Sequence, residues 1–318
     1  MPNTYTAAVV QAAPVLFDRD ATIDKAVTLI AEAAATGASL VLFPEAFVPA
    51  YPRGFAFGSV VGSRTAEGRD LWQRYWSESV DVPGPATERL GEAAREHGVH
   101  LAIGVIEREG RYGSAAGGTL YCTTLYFGPD GGLLGKHRKL KPTAAERIVW
   151  GEGDGSTLTA LDTPLGTLGG LICWEHYMPL ARAAMYGKGV QVWLAPTADS
   201  RDAWQATMRH IALEGRCWVL GCNQFVTKDM YPADLPEHEL LASQPEIMSR
   251  GGSVIVSPLG EVVAGPLWDE EGILYAEIDL DEVSRAKLDF DPVGHYARPD
   301  VFRLIVDERD KRAVEFEG

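Results

Sequence analysis

The stretch TLYCTTLYF-GPDGG-LLGKH, residues 119–137, carries the strongest information about the fold. Two apolar, β-branched runs flank the turn residues Gly128-Pro129-Asp130-Gly131-Gly132, which is the pattern of a β-hairpin. A second hairpin pattern lies later in the chain, where residues 253–256 and 261–263 flank Ser257-Pro258-Leu259-Gly260. Hairpins pair antiparallel strands, so the sheets that contain them are predicted to be mixed.

The rest of the chain alternates two kinds of apolar pattern. Continuous apolar runs are typical of strands buried on both faces, and apolar residues three and four apart are typical of helices. The predicted strands are 5–11, 40–43, 99–106, 168–173, 190–195 and 217–221. The predicted helices are 23–34, 87–97, 179–186 and 203–214. Because an all-parallel barrel does not accommodate the hairpins, we predict an α/β protein with layered mixed sheets covered by helices.

The domain organisation is predicted from the lack of breaks in this pattern. No internal repeat, low-complexity tract or change of composition marks a linker in the sequence. Residues 229–249 contain three prolines and are predicted to form a long loop. We therefore predict one domain over residues 1–280, with an arm over 281–318 that continues the same domain and takes part in subunit contacts.

The composition is that of an ordinary globular protein with an acidic charge balance. The 318 residues are 46% hydrophobic, and 29 Lys and Arg against 44 Asp and Glu give a net charge of −15. Such a charge repels phosphate backbones and anionic lipids, so we expect neither a nucleic acid nor a membrane as a partner. The sequence shows no signal peptide and no apolar stretch near the roughly 18 residues that a membrane span needs. We expect a cytoplasmic protein.

Cys173 is the first candidate for a reactive residue. Four cysteines are too few for a disulfide scaffold at this length, so a special cysteine is expected to be a reagent. Cys173 follows the apolar run 168–172, and reactive groups in open α/β folds lie at the carboxyl ends of strands. A thiol close to a helix N-terminus and a cation is expected to have a lowered pKa and to act as a nucleophile. The alternative is a buried structural cysteine.

Three charged residues are candidates to work with this thiol. Glu45 follows the apolar run 40–43, and partial burial there would raise the pKa of its carboxyl group towards that of a useful base. Lys139 lies in the one dense basic run of the chain, where it could polarise a substrate and hold negative charge. Glu146 is placed to orient Lys139. The alternatives are a helix cap for Glu45, a solvated basic face for Lys139 and an ion pair with Arg147 for Glu146.

These segments together resemble the nitrilase branch of the carbon–nitrogen hydrolase superfamily. The ordered set of matching runs covers nearly the whole chain, from about residue 6 to residue 302. The runs are Leu42-Phe43-Pro44-Glu45-Ala46-Phe47, Tyr51-Pro52-Arg53-Gly54, His137-Arg138-Lys139-Leu140-Lys141-Pro142-Thr143, Glu146-Arg147, Cys173-Trp174-Glu175-His176, Ala195-Pro196-Thr197-Ala198-Asp199, Met208-Arg209-His210-Ile211 and Gly294-His295-Tyr296-Ala297-Arg298-Pro299-Asp300.

The resemblance implies a four-layer α-β-β-α sandwich of two mixed sheets and a Glu-Lys-Cys catalytic triad. The triad carries over to Glu45, Lys139 and Cys173, and Glu146 matches the additional glutamate that supports the lysine. The implied activity is hydrolysis of a small organic nitrile to a carboxylic acid and ammonia, through a thioimidate and a thioester on the cysteine. No metal or organic cofactor is implied, and a homodimer or larger homo-oligomer is expected.

Substrate-binding residues are expected around the same strand ends. Tyr51, Trp174, His176 and Pro196 are predicted to shape the pocket, although each could equally pack the core. Alternative functions are an amidase or carbamoyl hydrolase, or a cyanide-hydrating enzyme, acting through the same triad. A different class of function is a non-catalytic assembly protein that has kept the fold.

Overall fold

The computed structural model describes residues 3–110, 117–311 and 314. The strands that it describes are β1 Thr4–Gln11, β2 Ala38–Leu42, β3 His100–Arg108, β4 Leu120–Phe127, β5 Leu133–Arg138, β6 Ala160–Thr163, β7 Gly166–Gly170, β8 Val192–Pro196, β9 Trp218–Cys222, β10 Phe225–Thr227, β11 Ile247–Val256, β12 Val262–Trp268 and β13 Gly272–Asp279. The α-helices are α1 Arg19–Ala35, α2 Ala66–Glu78, α3 Pro85–His97, α4 Pro179–Gly187, α5 Ala203–Gly215 and α6 Asp281–Ala286.

The strands form two mixed sheets. The first has the order β13-β1-β2-β3-β4-β5, and the second has the order β10-β11-β9-β8-β7-β6 with β12 paired to β11. Both predicted hairpins are present as antiparallel pairs, β4 with β5 and β11 with β12. Parallel pairs such as β1 with β2 and β7 with β8 lie in the same sheets, which confirms the prediction of mixed sheets.

The two sheets lie between helical layers, because their strands are apolar on both faces. In β1, Ala8 and Val10 pack in one cluster with residues of α1 and α3. The alternate residues Ala7 and Val9 pack in a different cluster, with Leu194 of the second sheet. This alternation follows the period of two along a strand and places β1 between a helix layer and the other sheet. On the far side, α4 and α5 pack against the second sheet. The predicted α-β-β-α sandwich is therefore confirmed.

Several elements differ from the sequence-based predictions. Helix α2 was not predicted, because it buries only a narrow face around Leu71 and Tyr75 and carries Gly68 in its first turn. The predicted loop 229–249 contains two short 3₁₀ helices and the first residues of β11. Gly251 and Gly252 have φ of +81° and +100° in the middle of β11, where the register of β11 against β12 shifts.

The C-terminal arm returns across the domain after α6. Residues 289–311 contain no regular helix or strand, and the backbone N–H of Lys311 donates a hydrogen bond to Oδ2 of Asp154 at 2.8 Å. Among the described residues, no helix is both long and apolar enough to cross a membrane.

Candidate active site

Three sequence-predicted residues meet where strands of both sheets end. Glu45 comes three residues after β2 and Lys139 directly after β5, both in the first sheet. Cys173 comes three residues after β7 in the second sheet. The side chains of Glu45 and Lys139 are fully buried and Cys173 is 4% exposed. The site is thus assembled from both sheets rather than from one.

Lys139 lies between two carboxylates. Its Nζ donates hydrogen bonds to Oε1 of Glu45 at 2.6 Å and to Oε2 of Glu146 at 2.7 Å. Burial on its own lowers the pKa of Lys139, but the negative charges around it, Glu45 foremost, raise that pKa well above its usual value. The direction of this shift favours the protonated ammonium form of Lys139 within the site.

Glu146 is held in place by groups on either side of it. It lies in the 3₁₀ helix Ala144–Ile148, where its Oε2 accepts a hydrogen bond from the backbone N–H of Thr143 at 2.6 Å. Its Oε1 accepts a hydrogen bond from the hydroxyl of Tyr51, also at 2.6 Å. Both oxygens are thereby fixed, so the carboxylate that faces Lys139 has one defined orientation.

The Glu45 carboxyl group is suited to act as a base. Burial is the main cause that raises the pKa of Glu45; the charge of Lys139 opposes this shift and the charge of Glu146 adds to it. Its Oε2 is buried and has no hydrogen-bond partner among the described residues. The thiol of Cys122 lies 3.6 Å from Oε1, a neighbour that the sequence did not reveal.

Cys173 has a constrained backbone and a protonated thiol. Its φ is +52°, at the start of the 3₁₀ helix Cys173–Tyr177. Burial, and after it the charge of Glu45, raises the pKa of Cys173, whereas Lys139 and a hydrogen bond from Thr197 lower it by less. The expected lowered pKa is therefore wrong for the free enzyme: desolvation and carboxylates outweigh the single ammonium. The thiol requires a base, which Glu45 can supply.

Glu175 connects the chain segments that carry Lys139 and Cys173, a contact that the sequence did not reveal. Its Oε1 accepts from the backbone N–H of Leu140 at 2.6 Å, and its Oε2 accepts from that of Ile172 at 2.7 Å. Leu140 follows Lys139, and Ile172 precedes Cys173. The fully buried His137 lies 3.0 Å from Oε2. Burial on its own raises the pKa of Glu175, but the charge of His137 and the hydrogen bonds to the carboxylate outweigh burial and lower that pKa. One carboxylate thus ties the lysine segment of the first sheet to the cysteine segment of the second.

Residues 44–46, the base segment around Glu45, lie directly against β3, where Gly104 leaves room for them. A Cβ on Gly104 would be 2.2 Å from the carbonyl oxygen of Pro44 and 2.6 Å from the nitrogen of Ala46. The N–H of Gly104 also donates a hydrogen bond to the carbonyl oxygen of Pro44 at 3.2 Å, which joins these two segments of the chain. Glycine is required here by this close approach.

A pocket of about 220 Å³ opens beside Cys173. Its lining includes Glu146 and two of the four predicted pocket residues, Tyr51 and Trp174. The indole N–H of Trp174 donates to Oδ2 of Asp199 at 2.8 Å, which fixes the ring at the pocket wall. The lining is Tyr51, Arg53, Thr143, Glu146, Cys173, Trp174, Ala198, Asp199, Ser200 and Arg201.

His176 and Pro196 do not line this pocket. His176 is fully buried beneath the nucleophile, where Nδ1 lies 2.6 Å from the carbonyl oxygen of Cys173. Its Nε2 accepts a hydrogen bond from the indole of Trp193 at 2.9 Å, and burial lowers the pKa of His176 to about 4. The ring is neutral and supports the backbone of Cys173. Pro196 is the buried last residue of β8.

The remaining cysteines are buried and form no disulfide. Cys122, Cys217 and Cys222 are free thiols, as is Cys173. Within the described ranges, no group of three or more His, Cys, Asp or Glu is arranged to hold a metal ion.

The two-sheet sandwich and the buried glutamate, lysine and cysteine at its strand ends agree with a carbon–nitrogen hydrolase. The family model described as carbon-nitrogen hydrolase matches residues 6–288, and the chain belongs to this family.

The curated relatives extend over nearly the whole chain. An aliphatic nitrilase of Sinorhizobium fredii is 56% identical over 311 residues, which are 98% of this chain and 98% of that protein. A nitrilase of Bradyrhizobium diazoefficiens is 53% identical, with 98% of this chain and 95% of that protein covered. A bifunctional nitrilase/nitrile hydratase of Nicotiana tabacum is 52% identical, with 98% and 89% covered.

Solved structures share the fold at lower identity. A carbon–nitrogen hydrolase from Helicobacter pylori G27 superposes with a TM-score of 0.72 at 24% identity, covering 94% of this chain and 97% of that one. An amidase from a Nesterenkonia species gives a TM-score of 0.63 at 22% identity, covering 90% and 95%.

Proposed function

We propose that this protein is a nitrilase, which hydrolyses an organic nitrile to a carboxylic acid and ammonia. The observation that carries the proposal is the buried contact of Lys139 with Glu45 and Glu146, beside a protonated thiol that opens into a small pocket. The likeness to curated nitrilases at 52–56% identity supports a nitrile rather than another carbon–nitrogen substrate.

The first half of the reaction uses the thiol and the free carboxylate oxygen. Glu45 accepts the proton of Cys173, and the sulfur adds to the nitrile carbon. The nitrogen gains negative charge, which Lys139 and the backbone N–H groups after Cys173 stabilise, and a proton delivered through Lys139 gives a thioimidate.

The second half consumes two water molecules. Glu45 takes a proton from the first water, whose hydroxyl adds to the thioimidate carbon and forms a tetrahedral intermediate. The proton on Glu45 passes to the nitrogen to give an amine, and the proton of the added hydroxyl follows it as the C–N bond breaks, which releases ammonia and leaves a thioester. The second water releases the acid and restores the thiol. If the C–S bond breaks first, the product is an amide.

Ammonia release from a panel of nitriles tests this function. The panel contains aliphatic, aryl and arylacetonitriles, the matching amides and cyanide, with acid and amide products identified separately. We expect acid and ammonia from nitriles, and we expect Cys173→Ala to fold normally and release none. Turnover by that variant at the wild-type rate would exclude Cys173 as the nucleophile. Turnover of amides alone would make the protein an amidase.

We further propose that the protein is cytoplasmic and forms a homodimer or larger homo-oligomer. The four free thiols support a reducing compartment. Exposed apolar side chains of the arm, including Val301, Phe302 and Ile305, support burial against another copy. Light scattering of the purified full chain tests the oligomer, for which a monomeric mass would be the contrary result.

A further inference from the structure

The charges that line the pocket are paired, with the exception of Arg53. Glu146 accepts its hydrogen bond from Lys139, and Asp199 accepts one from Nε of Arg201 at 2.8 Å. Arg53 instead donates from Nη2 to the carbonyl oxygen of Ala198 at 2.6 Å, and it stacks 5.2 Å from the ring of Tyr51. Both of these partners are neutral, and no carboxylate of the described residues forms an ion pair with Arg53.

The backbone holds Arg53 firmly at the pocket wall. The N–H of Arg53 donates to the oxygen of Tyr51 at 2.8 Å, within a tight turn that continues into Gly54 with φ of +89°. A Cβ on Gly54 would lie 3.1 Å from Leu241 and 3.2 Å from Met248, so this turn is packed from behind. The guanidinium is therefore presented to the pocket by a fixed segment.

Two further cavities adjoin this pocket through shared lining residues. One, of about 220 Å³, shares Tyr51, Arg53 and Glu146 with the pocket. The next, of about 590 Å³, shares Phe57 with that cavity. The three linings together contain five arginines and two carboxylates, Glu146 and Asp199, both already paired. The arginines are Arg53, Arg64, Arg69, Arg147 and Arg201.

This surface is unusual for a chain with 44 acidic and 29 basic residues. An excess of one sign of charge around a cleft raises the local concentration of ligands with the opposite charge. A guanidinium with free N–H groups binds a carboxylate through two parallel hydrogen bonds, which a lysine cannot do. The cleft is therefore suited to a small anion that carries a carboxylate group.

We propose that the substrate is a small nitrile that also carries a carboxylate, and that Arg53 binds this carboxylate while the nitrile carbon lies against Sγ of Cys173. The inference rests on the proposed nitrilase function and narrows it to one substrate class. The organic product of such a substrate is a dicarboxylic acid.

Matched pairs of substrates test the proposal. The pairs are 3-cyanopropanoate with 4-methylpentanenitrile and 4-cyanobutanoate with 5-methylhexanenitrile, in which an isopropyl group replaces the carboxylate at nearly equal size. The measured quantity is the ratio of kcat/KM for the charged member to that for the neutral member. We expect wild-type protein to favour the charged member by about 10- to 100-fold, the range set by hydrogen bonds to charged groups.

Variants of Arg53 assign this preference to one side chain. Arg53→Gln is expected to abolish the ratio through a rise in KM for the charged nitriles, and Arg53→Lys to leave an intermediate ratio. Because the ratio is taken within each variant, a general loss of folded protein cancels. Arg209→Gln is the matched control: Arg209 also donates to a carbonyl oxygen, that of Gly260 at 3.0 Å, and it is not part of the cavity linings. Its ratio is expected to equal that of wild type.

The outcomes separate the inference from the function on which it rests. Hydrolysis of neutral nitriles with equal or greater efficiency than the charged ones overturns the inference and leaves the nitrilase function standing. A charged preference that Arg53→Gln retains also overturns it. No turnover of either class, to acid or to amide, overturns both.

Discussion

Lys139 holds one oxygen of Glu45 and leaves the other free. The hydrogen bond from Nζ to Oε1 is 2.6 Å long, whereas the buried Oε2 has no partner among the described residues. An unpaired carboxylate oxygen is costly to bury, so its presence beside a protonated thiol fits a proton acceptor better than a structural ion pair.

Glu45→Gln separates these two roles because glutamine keeps the size of the side chain and removes its basicity. We expect kcat/KM for a nitrile to fall by about 10²–10⁴-fold, the usual contribution of a general base. Alkylation of Cys173 by iodoacetamide, followed by mass spectrometry, is expected to become faster, because the charge of Glu45 raises the pKa of Cys173 and glutamine removes that charge. Cys173→Ala provides the background for both measurements. A kcat/KM at the wild-type level in Glu45→Gln would show that another group accepts the proton of the thiol.

The pH profile of kcat/KM for a neutral nitrile provides a second test of the base. Glu45 must be ionised to accept a proton, and its pKa is raised from 4.5, so activity is expected to fall on the acid side at a pH above 4.5. The pKa of Lys139 is raised well above 10.5, so deprotonation of Lys139 is not expected to limit the rate below that pH. An acid limb at or below pH 4 would contradict the raised pKa of Glu45.

Glu175→Gln tests whether one carboxylate positions both catalytic segments. Glutamine offers one acceptor oxygen where the backbone N–H groups of Leu140 and Ile172 need two. We expect a loss of about 3–5 kcal/mol of stability, as for other broken buried pairs, and about a 10²-fold lower kcat per folded molecule. Calorimetry and active-protein titration measure the two effects.

The matched control for this variant is Glu214→Gln. Glu214, like Glu175, accepts hydrogen bonds from two partners, here the side chains of Arg182 and Tyr186, but it does not line the pocket. It is expected to lose stability and to keep its kcat. Equal kcat values for the two variants would mean that Glu175 serves only the fold.

Gly104→Ala is expected to displace the backbone of Glu45 without changing the Glu45 side chain. The added methyl group would overlap the backbone on both sides of Glu45, which typically costs about 1–3 kcal/mol and shifts the segment. We expect kcat to fall by about 10²-fold. Gly187→Ala, where no atom lies within 4 Å of the new Cβ, should leave kcat unchanged. Retention of full activity by Gly104→Ala would show that the base segment tolerates a shift away from β3.

The parts of the site that could be predicted are those that depend on the local sequence pattern. Glu45, Lys139 and Cys173 each follow a strand, so their positions at one end of the sandwich could be expected from apolar runs alone. The mixed character of the two sheets could be predicted from the two hairpin patterns. The role of Glu175 could not, because its partners are backbone N–H groups of residues 35 and 3 positions away.

Side-chain direction was the other limit. Trp174 and His176 are two residues apart in one 3₁₀ helix, and only Trp174 faces the pocket while His176 packs beneath the nucleophile. A sequence read as motif positions treats both as pocket residues. The pKa of Cys173 was mispredicted for a related reason, since it depends on how completely the fold removes water and on two carboxylates rather than on one cation.

The division of the triad between two sheets has a consequence for the newly made chain. Glu45 and Lys139 leave the ribosome before Cys173 and belong to the same sheet, yet neither of them meets Cys173 until the second sheet docks on the first. Before docking, the thiol lacks its base and its ordered neighbours, so a nascent or partly unfolded molecule has no assembled machinery with which to attack cellular nitriles or carbonyl compounds. Hydrolysis of a nitrile therefore requires completed folding of the whole sandwich.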